Sequence, residues 1–90
     1  MIKALHVRND QITVGAQIDI EGDQLAREDA FYVEYPNNSR AGGKVIGADE
    51  KGATIEVGNQ QFRVRRTTAA DNPMPTGSDL LTSWIVTELL

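Results

Sequence analysis

The chain has 90 residues, 40% of them hydrophobic and 24% charged, a balance that suits a folded globular domain and excludes a disordered one. It has no cysteine, which excludes disulfides, thiolate metal sites and cysteine nucleophiles, and its net charge of −4 argues against nonspecific nucleic-acid binding. The length fits a single domain over residues 1–90, with a thin core that buries about 60–65% of the surface its unfolded form exposes.

Ile2 to Arg8 reads as a first strand, and Asn9-Asp10 supplies turn chemistry after it. Residues 12–20 carry the clearest signal. Ile12, Val14, Ala16, Ile18 and Ile20 alternate with Thr13, Gly15, Gln17 and Asp19, which predicts a half-buried strand paired with the first as a hairpin. Gly15 in its middle predicts a bulge or sharp bend. Residues 21–29 are mostly polar and read as a loop or one helical turn. Ala30 to Tyr35 is a strand with Phe31, Val33 and Tyr35 on one side, ended by Pro36.

Pro36 to Gly43 reads as a loop by composition, and Val45-Ile46 as the next short strand. Asp49-Glu50-Lys51-Gly52 resembles a tight turn with glycine at a left-handed position. Ala53–Val57 and Gln60–Arg66 form a hairpin around Gly58-Asn59, so three consecutive strands make a meander. Residues 67–79, with Asp71-Asn72-Pro73, Pro75 and Gly77, read as a long surface loop and a place to look for a site. Residues 80–90 fit a helix capped by Ser78 or Asp79, or a strand; the β-branched run Ile85-Val86-Thr87 after Trp84 favours the strand. The expected fold is mainly β, a small SH3-like or OB-like antiparallel barrel of about six to seven short strands.

The features from Gly52 onward are a glycine-led strand, a tight turn, the aromatic-x-valine strand of Phe62 and Val64, a polar loop, and a closing strand with Trp84, Val86 and Leu89. In that order they resemble the small β-barrel head-to-tail joining proteins of tailed phages. The resemblance is confined to residues 52–90 and implies a ring-forming structural connector without catalysis; it points to no active-site residue.

The candidate chemistry is sparse. His6 is the only histidine, and it would need Asp10 or Asp19 as an orienting carboxylate to act as a general base. Asp19, Glu21 and Asp23 fall on one face if their strand continues, gathering carboxylates as a hard-cation site requires, or simply blunting a strand end. Arg40, Gly42, Gly43 and Lys44 lack the spacing of a phosphate-binding loop. Arg63 and Arg65 make one face of their strand basic, and with Arg40, Lys44 and Tyr32 they are candidates for a nucleic-acid or anionic-ligand surface, with Glu56 a candidate cross-strand partner. Trp84, Ile85 and Leu89 end the chain with more apolar surface than a thin barrel needs and are interface candidates.

Charge is unevenly distributed: residues 36–66 carry six basic and three acidic side chains, while residues 67–90 carry three acidic and none basic. Folding either separates these into two surfaces or mixes them. The expected function is a noncatalytic binding or assembly module, self-associating or bound to a protein partner. The alternatives are a nucleic-acid or anionic-ligand binder and a small enzyme using Asp19, Glu21 or His6. No cofactor and no membrane contact are expected, and a cytoplasmic location is the default for a cysteine-free chain without a signal-like segment.

Overall fold

The structure, a computed structural model, describes residues 3–22 and 24–90. Seven strands, β1 (Lys3–Val7), β2 (Gln17–Glu21), β3 (Ala30–Glu34), β4 (Arg40–Asp49), β5 (Gly52–Val57), β6 (Gln60–Arg66) and β7 (Leu81–Leu89), close into a barrel in the order β1-β2-β7-β6-β5-β4-β3. Six of the neighbouring pairs are antiparallel, as expected, and the seam between β1 and β3 is parallel. The parallel seam arises because β2 carries the chain from β1 to β7, so β3 returns on the free side of β1 running the same way. Register shifts at Val45/Gly47 and Arg63/Val64 add the local bending a small barrel needs. Among the described residues no helix is long and apolar enough to cross a membrane.

The core is made by the inward half of each strand. Leu5, Ile18, Ile20, Val33, Val45, Ile55, Phe62, Val64 and Val86 are fully buried. The C-terminal segment is a strand, paired with both β2 and β6, and Trp84 lies inside with its Nε1 donating to Thr82 Oγ1 at 2.8 Å. The β4-β5-β6 meander is present, and Gly58 turns its second hairpin at φ 58°.

Several expectations need correction. The alternation over residues 12–20 is a strand only from Gln17; Gly15 at φ 89° and the Ala16 N–H donating to Thr13 O make 13–16 a turn. Ile12 and Ala16 face the core while Val14 stands 60% exposed, because a left-handed residue breaks the two-residue period that would have buried it. The loop assigned to 36–43 ends at Ser39, and β4 begins at Arg40. Tyr35–Ser39 close a tight turn, with Asn38 at φ 67° and Asn37 Oδ1 accepting from Ser39 N–H. Gly43 is then a strand residue: a Cβ there would meet Glu56 O at 2.6 Å and the Phe31 ring at 2.7 Å, so the glycine makes room for the ring. Asp49 does organise its turn, accepting from the N–H groups of Lys51 and Gly52. Gly52 sits at φ 157°, a positive value that side-chain-bearing residues rarely adopt, and it also supplies close approach, since a Cβ would run into the Val64 carbonyl oxygen. Residues 21–29 hold no helix among those described, and Ile2 and Asp23 lie outside the described residues.

Candidate interaction surface

With Leu5 and Val7, Ile18 and Ile20, and Trp84 and Val86 facing inward, period two sends His6, Arg8, Gln17, Asp19, Glu21, Ser83 and Ile85 to the outer wall of β1, β2 and β7. The long segment 67–79 does not hang free of this wall. It opens with a short 3₁₀ turn over Ala69–Asp71, and its continuation lies across β1 and β2.

The strap is anchored at Asp71, whose carboxylate takes two parallel bonds from Arg65 at 2.9 Å each and one from the Thr68 N–H at 2.7 Å. Further on, the Gln17 carboxamide donates to Met74 O at 3.0 Å and accepts from Met74 N–H at 2.8 Å, while Arg8 Nη2 donates to Pro75 O at 2.8 Å. Beneath them Asp19, only 4% exposed, accepts from Arg8 Nε at 2.8 Å and Gln17 Nε2 at 3.1 Å and forms an ion pair with Arg8 at 2.6 Å. Asp19 thereby fixes both side chains that hold the strap. None of residues 67–80 is buried, so polar bonds rather than apolar packing hold the strap down.

Hydrogen bonds from the Arg65 guanidinium, then from the Thr68 N–H, hold the Asp71 carboxyl far below the usual carboxylate range, and the same pairing raises Arg65. A carboxyl depressed in the folded state contributes stability that is complete above its unfolded value of about 3.8 and is lost as pH falls from there toward the folded value. The strap anchor therefore loosens in acid. Asp49, bonded by Lys51 N–H and by Arg63, and Asp29, bonded by Ala26 N–H and by Lys3, are lowered too and act in the same direction. The expected result is that Asp71→Asn lowers the melting temperature at pH 7 and flattens its decline below pH 4, as thermal unfolding at stepped pH would read.

The cation-site reading of Asp19, Glu21 and Asp23 fails on Asp19, whose oxygens are taken by Arg8 and Gln17; Glu21 is exposed, Asp23 lies outside the described residues, and among the described residues no three such groups converge. His6 stands opposite Asp19 in register, as the hairpin argument required, but that carboxylate is already engaged. The basic candidates are dispersed, and the arginines among them are paired. Arg63 bonds Asp49 and Thr54, Arg65 bonds Asp71, and Arg40 pairs with Glu34 at 3.3 Å while stacking over Tyr32 at 5.2 Å. Lys44 faces Glu56, which accepts from Gln61 rather than from an arginine. The structure thus brings Tyr32 and Arg40 together and neutralises Arg63 and Arg65.

Of the apolar candidates, Trp84 belongs to the core at 5% exposure and is withdrawn from any interface, Ile85 is half-buried, and Leu89 is 42% exposed. Sequence reasoning missed Leu80, 77% exposed, and Met74, 61% exposed. Leu80 and Leu81 line an open cleft of about 720 Å³ with Lys3, His6, Glu21 and Asp79. The signal available for Leu80 was its place directly after the loop-forming Ser78-Asp79. No family model, curated protein or solved structure matches the chain.

Proposed function

We propose that the chain is a noncatalytic module that works through protein–protein contacts, self-association included. The observation that carries this reading is the distribution of apolar surface along β7: its centre is core, yet Leu80 before it and Leu89 and Leu90 at its end are 77%, 42% and 61% exposed. Of the residues the enzyme alternative would employ, Asp19 is instead engaged by Arg8 and Gln17. A ring-forming connector, as the resemblance of residues 52–90 implies, is one form of the same reading. The nucleic-acid reading rests on the Arg40–Tyr32 stack, which offers a ring and a cation side by side, against a net charge of −4.

Removing residues 80–90 would take Trp84 and Val86 out of the core, so point variants are the test. Leu80→Glu with Leu89→Glu is expected to leave the fold intact, since exposed positions tolerate change within about 0.5 kcal/mol each. Light scattering at low and high salt is expected to show a discrete, salt-resistant oligomer for the native chain and a monomer for the double variant. A native chain that stays monomeric removes self-association, and salt-sensitive retention of a single-stranded oligonucleotide, lost in Arg40→Ala, would favour the nucleic-acid reading.

A further inference from the structure

We propose that Arg8 at the end of β1, with Gln17 and Asp19 on the outer wall of β2, forms a receptor for an extended, proline-flanked peptide, occupied in cis by residues 73–76 of the chain itself. The inference rests on the reading of the chain as a protein-binding module and names the class of partner.

The barrel is closed. An extended peptide ordinarily joins a sheet by pairing its N–H and C=O groups with a free edge strand, and a closed barrel has none. Gln17 supplies the missing pair from a side chain. Its carboxamide gives one donor and one acceptor to the same residue, Met74, as a neighbouring strand would. Arg8 adds a donor to the next carbonyl, that of Pro75.

All three contacts go to backbone atoms, and the Met74 side chain points largely to water at 61% exposure. The surface therefore reads backbone shape rather than the identity of the central residue. The flanking prolines define that shape: Pro75 biases Met74 toward extended conformations, and Pro73 and Pro75 carry no N–H, leaving Met74 as the single donor of the three. The receptor is also set independently of the strap, because the buried Asp19 carboxylate bonds both Arg8 and Gln17 from below. Asp19 is a positioning residue. The occupant is displaceable, since residues 72–76 bury no side chain, while the strap stays anchored upstream by the Asp71–Arg65 pair and by the Thr67 bonds to Ser83 O.

The test uses a fluorescein-labelled peptide of residues 71–77, Asp-Asn-Pro-Met-Pro-Thr-Gly, read by anisotropy. A full-length variant with residues 72–76 replaced by Gly-Ser-Gly-Ser-Gly is expected to bind it at least about tenfold more tightly than the native chain, whose own strap competes. Adding Gln17→Ala to that variant is expected to abolish the gain, and a peptide with both prolines changed to alanine is expected to bind more weakly. A replaced-strap variant that is folded by circular dichroism yet binds no better than the native chain overturns the proposal, as does binding indifferent to Gln17→Ala. Should that variant not fold, amide exchange on the native chain decides: excess unlabelled peptide is expected to speed exchange at the Met74 N–H without changing that of Ile55, and no change at Met74 overturns it. A native dimer that Gln17→Ala dissolves, with the peptide unbound, would assign the surface to strap exchange between copies. A monomeric native chain, by contrast, bears on the assembly reading alone and leaves the anisotropy result standing.

Discussion

Phe62→Ala is expected to cost about 3–5 kcal/mol, the range for truncating a fully buried aromatic side chain whose surroundings relax only in part. Phe62 is 0% exposed and projects from β6 into the centre of the barrel, opposite Ile55 on one neighbouring strand. A chain of 90 residues holds a total stability of about 5–13 kcal/mol, so the variant loses a large share of it and should melt far below the native chain. Urea titration followed by tryptophan fluorescence reads the effect directly, because Trp84 lies in the same core. Val14→Asp is the internal control. Had residues 12–20 formed one continuous strand, Val14 would share the inner face with Ile18, and a carboxylate there would be ruinous; as it stands 60% exposed beyond the Gly15 turn, the change should stay within about 0.5 kcal/mol. A large loss at Val14 would contradict the placement of that turn.

The parts of the fold legible in the sequence were those whose causes are local. The β5–β6 hairpin announced itself through Gly58 and the alternation of Phe62 and Val64, and β7 through its β-branched run. The misreadings share a different cause. Gly43 uses loop vocabulary inside a strand because the Phe31 ring, on the neighbouring strand, needs the space a side chain would fill, whereas nothing crowds a Cβ at Gly42. Val14 continues an apolar alternation whose geometry Gly15 has already broken. The strap was recognised as a loop worth inspecting, but its contacts join Gln17 to Met74 and Arg8 to Pro75, 57 and 67 positions apart, and no spacing rule reaches that far. Asp19 was marked for its neighbours Glu21 and Asp23, while its actual partner, Arg8, became visible only with the register of β1 and β2. The segregated charges mix in part on folding: Arg40 meets Glu34 and Arg65 meets Asp71, so two of the six basic side chains of residues 36–66 pair with acids outside that stretch.

That mixing gives Arg8 more weight than a surface arginine usually has. Its guanidinium pairs with a carboxylate that is 6% exposed and also reaches the strap at Pro75, whereas its own side chain is 27% exposed. Removing it leaves Asp19 covered and bonded only to the neutral Gln17, so Arg8→Met is expected to cost about 2–3 kcal/mol in urea unfolding. Asp19→Leu should cost less, about 1 kcal/mol, because Arg8 can turn its charge to water while the apolar replacement suits the covered site. The double variant is then expected to be more stable than Arg8→Met alone, giving a coupling of about 1–2 kcal/mol in the double-mutant cycle. Additive losses would mean that the two side chains act independently and that Asp19 does not position Arg8. Asp19 bears on the strap through Gln17 as well: its carboxylate holds the carboxamide that accepts the Met74 N–H, so Asp19→Leu should speed exchange at that N–H even though Asp19 and Met74 share no bond.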